Sequence, residues 1–258
     1  MLLLAIDTSG TGVTVAVHDP ERALAEHSSQ VPRKHAELLA PAIRDVLAEA
    51  GLEPRDLTGL AVGIGPGPFT GLRAGVVTAR VLGLTWQLPV HGVCSLDALA
   101  GQLLDAAQGA GRGAGAARGI EVGERFVVAT DARRSEVYWA TYQVGDDGSG
   151  PAAVRVEGPE VAAPDDVPRA GLLVGGRGAA LYPEVLGPVA LRTAAPGSLE
   201  PGPPGPDVHR PVLDVTGAGV ARLAVRRILS GAPDDGVEPL YLRRPDAAIP
   251  GARKRVLQ

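Results

Sequence analysis

The sequence predicts an α/β protein built on mixed sheets flanked by helices. Three observations carry the prediction: apolar runs of strand length, amphipathic stretches of helix length, and their order along the first hundred residues. That order is three strands, then helix, strand, helix, strand, helix, which suits a mixed sheet with helices on its faces.

Leu2 to Ile6 is a continuous apolar run, the pattern of a strand buried on both faces, and Val13 to Val17 after Gly10 and Gly12 reads as its hairpin partner. A third strand follows at Ala23 to Ser28. From His35 to Ala50 the apolar residues Ala36, Leu39, Ile43, Val46, Leu47 and Ala50 share one helix face. Pro41 should sit in an early turn or kink this helix, and Gly51 stops it. Leu60 to Ile64 is the next buried strand. It feeds the turn and helix VGIGPGPFTGLRAGVVTARVLG, from Val62 to Gly83, for which Thr70 is the expected N-cap. Val90 to Cys94 is a strand, and Ser95 is the expected cap of a helix aligned by Leu96, Leu99, Leu103 and Ala107.

Composition then shifts. Gly109 to Gly119, GAGRGAGAARG, holds almost nothing that can pack and reads as a flexible link. Phe126 to Thr130 and Glu136 to Gln143 read as paired strands joined through DARRS, with a turn at Gly145 to Gly150. Pro196 to Pro211 is a Pro- and Gly-rich loop. A last amphipathic helix carries Ala218, Ala221, Val225, Ile228 and Leu229 and ends at Gly231. The expected division is a first domain of residues 1–108 with about 214–232, a smaller second domain of 109–213, and a tail of 233–258.

A formal net charge of −4 argues against a free-standing nucleic-acid binder, since phosphate affinity needs clustered positive charge. Cys94 is the single cysteine, so no internal disulfide forms, and a reducing compartment follows. No apolar run approaches the ~20 residues of a membrane span. The expected location is the cytoplasm, without membrane association.

Four places could carry chemistry. Asp7, Thr8 and Ser9, at the end of a buried strand, could meet a nucleotide's phosphates or hydrated metal, or could merely shape a turn. The glycine-rich turn lacks the Lys-Ser or Lys-Thr of a P-loop, and Pro66 and Pro68 remove two N–H donors that a phosphate nest would use. Behind it, Gly71, Gly75, Ala79 and Gly83 form a row of small residues along one helix. Such a row lets another backbone approach, either a partner's or this protein's own. The five histidines show no helical ligand spacing, so no protein-held metal is expected. Arg133, Arg134 and Glu136, within DARRSEVY, could meet an anion or lie solvated.

LAIDTS, RKHAELLAPAIRDVLAEAGL, AVGIGPGPFTGLRAGVVTA, GVCSLDALA, DARRSEVYWA and EPLYLRRPDA, in that order, resemble the marks of the TsaB (YeaZ-type) family. The resemblance covers nearly the whole chain and is weakest at Gly109 to Gly119 and Val154 to Pro211, which look like insertions. It implies a two-domain fold of the actin/Hsp70-like (ASKHA) class. The function it implies is that of a non-catalytic, activating subunit in the bacterial synthesis of N6-threonylcarbamoyladenosine at position 37 of tRNAs that read ANN codons.

On this resemblance the protein is no enzyme itself. It dimerises with TsaD, the ATPase TsaE joins the complex, tRNA is met only through that complex, and a homodimer uses the same surface when TsaD is absent. The catalytic relative's His-x3-His metal pair has no counterpart in SLDALAGQLL. Asp7, Thr8 and Ser9 would then be a vestigial nucleotide site, with Gly175-Gly176-Arg177-Gly178 as a remnant from the second domain. No cofactor of its own is implied, and ATP or ADP would sit, if anywhere, at the complex interface. The implied partner surface is His35, Leu38, Leu39, Phe69, Thr70, Gly71, Leu72, Gly75, Val76 and Ala79. The rival readings are an ATP-dependent kinase or transferase of the same superfamily and, more distantly, a peptidase.

Overall fold

The computed structural model describes residues 1–29, 31, 35–110, 120–148, 150–188, 192–193 and 210–243. Two sheets organise it. The first is made of β1 (Leu3–Asp7), β2 (Val13–His18), β3 (Ala23–Ser29), β4 (Gly59–Gly63) and β5 (Val90–Val93), in the order β3-β2-β1-β4-β5. β1 runs antiparallel to β2 and parallel to β4, which is parallel to β5. The sheet is therefore mixed, as its strand order requires.

Both faces of this sheet are covered, which is why its central strands read as unbroken apolar runs. Successive side chains of a strand point to opposite faces. Leu4, Ile6, Val15 and Val62 enter one core with Leu39, Ile43 and Val46 of α1 (His35–Glu49) and Val76 and Ala79 of α2 (Phe69–Trp86). Leu3, Ala5, Ala61 and Val93 enter the other, with Val220, Ala221 and Ala224 of α6 (Gly217–Ser230).

The helix before the second sheet is α3 (Ser95–Ala110). That sheet consists of β6 (Arg125–Arg133), β7 (Glu136–Asp146), β8 (Pro151–Ala162) and β9 (Leu173–Gly175), in the order β8-β7-β6-β9. Phe126, Val128, Tyr138, Ala140 and Tyr142 pack on Leu96, Leu99 and Leu103 of α3. Val127, Ala129, Val137 and Trp139 form the core on the opposite face with Ala179 of α4 (Arg177–Leu181) and Leu186 of α5 (Pro183–Leu186). The short strands β10 (Arg192–Thr193) and β11 (Arg210–Pro211) pair with each other.

Several sequence expectations change here. α2 begins at Phe69 with Pro68 as its N-cap and runs on to Trp86, so Thr70 is not the cap and Gly83 is not the end. Ser95 is the first residue of α3, but its hydroxyl turns to Asp7. Gly109 and Ala110 belong to α3, while 111–119 lie outside the described residues, as do 194–209 of the Pro- and Gly-rich loop and 244–258 of the tail. The stretch from Val154, which looks like the start of an insertion in the sequence, belongs to β8, the edge strand of the second sheet. Pro159 and Gly158 disguised it, and edge strands are where proline is tolerated.

Candidate functional site

Asp7 ends β1 with only 1% of its surface exposed. Its Oδ1 accepts from the Ser9 amide at 2.8 Å and the Ser9 hydroxyl at 2.7 Å, and its Oδ2 accepts from the Ser95 hydroxyl at 2.6 Å. Ser95 Oγ in turn accepts from the Gly65 amide at 3.1 Å. Burial raises the Asp7 carboxyl above its ordinary range, outweighing the stabilising donors from Ser95 and Ser9. Gly63 is glycine for this carboxylate's sake, since a Cβ there would stand 1.7 Å from Asp7 Oδ2. Thr8 is equally committed. Its hydroxyl donates to the Gly71 carbonyl at 2.7 Å and accepts from the Gly75 amide at 3.1 Å.

Beside this strand end lies a cleft between the sheets, bordered by Ser9, Thr11, Pro66, Ser95, Asp131 and Arg177. Its free space is about 30 Å³, on the order of two water molecules. Arg177 closes one side: Nε donates to Asp214 Oδ1 at 2.7 Å, Nη2 donates to Oδ2, and the Arg177 amide donates to the Leu213 carbonyl at 2.8 Å. The glycines around Arg177 pack rather than cradle. A Cβ at Gly175 would meet Leu103 at 2.6 Å, and one at Gly178 would meet Ala129 at 2.7 Å. Among the described residues no group of three His, Cys, Asp or Glu side chains is placed to hold a metal.

The row of small residues on α2 faces inward. A Cβ at Gly71 would lie 2.7 Å from the Thr8 carbonyl oxygen, and one at Gly75 would lie 2.4 Å from Thr8 Oγ1. One at Gly83 would lie 2.4 Å from Val90 Cγ2. The backbone admitted by this row is the protein's own β1 end. Of the expected partner surface, Leu39, Gly71, Leu72, Gly75, Val76 and Ala79 are buried within the chain. His35 and Leu38 are half-buried, and Phe69 and Thr70 are exposed.

The opposite face of α2 is apolar as well. Phe69, Val77, Val81 and Leu84 are 39%, 52%, 53% and 82% exposed, and the exposed Arg73 and Arg80 lie among them on the same helix face. At its start, the Tyr241 ring packs at a tilt against Phe69 with ring centroids 4.8 Å apart, and the Arg73 guanidinium lies 5.1 Å from the Phe69 ring centre. Arg80 pairs with Glu238 at 2.8 Å, so the C-terminal segment borders the stripe along α2. Sequence reasoning missed Val77, Val81, Leu84 and Tyr241. The available signal was that α2 is apolar nearly all round, although it is a surface helix of a small protein.

DARRSEVY supplies the turn between β6 and β7. Glu136 and the Ala132 carbonyl both accept from Arg243, and Arg133 pairs with Asp131 at 3.0 Å, so these charges hold the turn and the C-terminal segment.

Residues 26–160 match the family described as TsaD: tRNA N6-adenosine threonylcarbamoyltransferase. An uncharacterized protein of Mycobacterium tuberculosis is 39% identical over 95% of this chain and 93% of its own. The tRNA threonylcarbamoyladenosine biosynthesis protein TsaB of Escherichia coli is 38% identical over 57% of this chain and 58% of its own. The solved structure of YeaZ from Pseudomonas aeruginosa superposes with a TM-score of 0.65 at 29% identity, covering 93% of this chain and 99% of that one. A second solved structure from that organism, described as similar to peptidase YeaZ, gives 0.66. The α/β fold with mixed sheets flanked by helices is thus shared with YeaZ, and the chain belongs to the threonylcarbamoyltransferase family as a member of the TsaB (YeaZ) type.

Proposed function

We propose that this protein is a non-catalytic subunit of the apparatus that makes N6-threonylcarbamoyladenosine at position 37 of tRNA, and that it acts by pairing with a TsaD-type catalytic subunit. The observation that carries the proposal is the exposed apolar stripe Phe69, Val77, Val81 and Leu84 on α2. Large apolar side chains exposed together on one helix face mark a protein contact, and their spacing, with Arg73 and Arg80 among them, suits a second helix laid along α2. The partner is named from the resemblance to the TsaB family and from the description of the matching family, TsaD. TsaE would join the pair, tRNA would be met through it, and a homodimer through the same stripe would compete with it, because an isologous contact uses one patch on both copies.

Two features support the non-catalytic part. Asp7, Thr8 and Ser9 are occupied within the chain, and the free space of about 30 Å³ in the cleft beside them is small for a nucleotide. Burial pushes the Cys94 thiol up to about 12, which keeps it protonated and speaks against a cysteine nucleophile. The test is to mix the purified protein with the TsaD of its own genome and follow assembly by light scattering, then assay tRNA modification with and without TsaE. A one-to-one complex, with modification that needs both proteins, is the expected result. Free monomers, or modification by TsaD at the same rate without this chain, would overturn the reading.

A further inference from the structure

Phe69, Arg73, Val77 and Val81 follow one another along α2 at four-residue spacing, so Arg73 stands between two exposed apolar side chains. A helix laid along this row covers Arg73 together with its neighbours. Taking a cation out of water is expensive unless an anion goes with it. What meets this guanidinium therefore decides whether the row can be covered.

The chain supplies an anion to Arg80 and none to Arg73. Arg80 pairs with Glu238 at 2.8 Å, so it enters a contact already neutralised. Arg73 has no carboxylate partner among the described residues, and α2 itself contains no Asp or Glu. Its guanidinium lies instead over the Phe69 ring, 5.1 Å from the centroid. That ring is braced by Tyr241, whose segment is tied to the first sheet where the Leu240 amide donates to the Ile64 carbonyl at 2.8 Å. A guanidinium resting on an aromatic face keeps its N–H fork open to an acceptor, and its planar shape limits the freedom lost when one arrives.

We infer that the subunit covering α2 places an Asp or Glu side chain on Arg73, and that this ion pair, set among Phe69, Val77 and Tyr241, selects the partner. The inference rests on pairing with a TsaD-type subunit through the exposed face of α2. A carboxylate can accept two parallel N–H bonds from the fork. A surface with an apolar or basic side chain at the same point would leave a dry, unpaired cation and be rejected.

The test uses the full chain and the TsaD of its own genome. Affinity is measured at low and high salt for the parent, Arg73→Gln, Arg73→Glu and Leu84→Arg, beside a thermal melt of each. Arg73→Gln should weaken pairing at least about tenfold, the loss expected of a buried charge pair, and Arg73→Glu should weaken it further. The parent's affinity should fall with salt more steeply than that of Arg73→Gln. Arg73→Lys keeps the charge and introduces an amine, so carbodiimide should join position 73 to a TsaD Asp or Glu that mass spectrometry identifies. Lys34 and Lys254, the chain's own lysines, give the background.

Parental affinity in Arg73→Glu, with pairing lost in Leu84→Arg, would remove the ion pair and leave the contact on α2. Parental affinity in both would move the contact elsewhere and overturn the two readings together. If a melt shows that Arg73→Gln or Arg73→Glu disturbs the fold, the carbodiimide product of Arg73→Lys decides. No link to TsaD, or a link to a second copy of this chain, would overturn the inference.

Discussion

The Thr8 hydroxyl sits against the backbone of Gly75: it accepts the Gly75 amide at 3.1 Å, and a Cβ at that glycine would come within 2.4 Å of it. The end of β1 and the second turn of α2 are thus fitted to each other without room for a methyl group. Gly75→Ala should cost about 1–3 kcal/mol, as overpacking of a tight core does, and lower the melting temperature of the monomer. Removing the hydroxyl opens that space, so Gly75→Ala with Thr8→Ala should be less destabilised than the sum of the single changes. Thermal melts of the four proteins check this, and strict additivity would contradict the fit.

That fit also shows how much the sequence disclosed. The helix of residues 35–49 was legible because its apolar period and Gly51 agree, and the central strands were legible because both their faces are buried. The direction of the row Gly71, Gly75, Ala79, Gly83 was not. A four-residue spacing of small side chains says that a backbone comes close but not whose, and only the path of β1 makes it Thr8 rather than a partner. The commitment of Asp7 was hidden for a similar reason. Its acceptor sites are filled by Ser9, next door, and by Ser95, 88 positions away, a pairing that no local pattern encodes.

Asp7 makes a prediction about pH. Its folded-state carboxyl is raised above the unfolded value by burial, so the native state holds its proton more tightly than the unfolded chain does. That contribution to stability is fully present below the unfolded pKa, near 3.9, and is lost as pH rises through the folded value. Asp7→Asn should remove this dependence, so the gap in melting temperature between variant and parent should move in the variant's favour from pH 4 to pH 7. Asp7→Ala should instead cost about 1–3 kcal/mol throughout, because the Ser9 and Ser95 donors lose their acceptor. Melts across that range separate the two, and an unchanged gap for Asp7→Asn would show that burial of the charge is not what shifts Asp7.

Neither ATP turnover nor tight tRNA binding is expected of the isolated chain. Its formal net charge is −4, and it offers two Trp, four Tyr and two Phe as stacking surfaces, so both terms that give stand-alone RNA affinity are weak. A salt titration of tRNA binding should show no binding at physiological salt until TsaD is added. Robust ATP hydrolysis by the pure protein, abolished by Asp7→Ala, would favour the kinase reading instead.

The exposed stripe on α2 makes the sharpest prediction. Val77 and Leu84 are more than half exposed and lie outside the buried cores, whereas Gly75 and Val76 between them and the sheet are buried. Val77→Glu and Leu84→Arg should therefore leave the monomer's stability within about 0.5 kcal/mol, as surface changes do. In a complex the same side chains would be central and dry, where an unpaired charge is costly, so pairing with TsaD should weaken at least about tenfold for each. Phe69→Ala should weaken it too, since that ring also orders Tyr241 and Arg73. Melts beside light scattering of the mixed proteins read both quantities at once. A stable Val77→Glu protein that still assembles with TsaD at parental affinity would move the contact off this face of α2, and an unstable one would show that Val77 supports the fold rather than the partner.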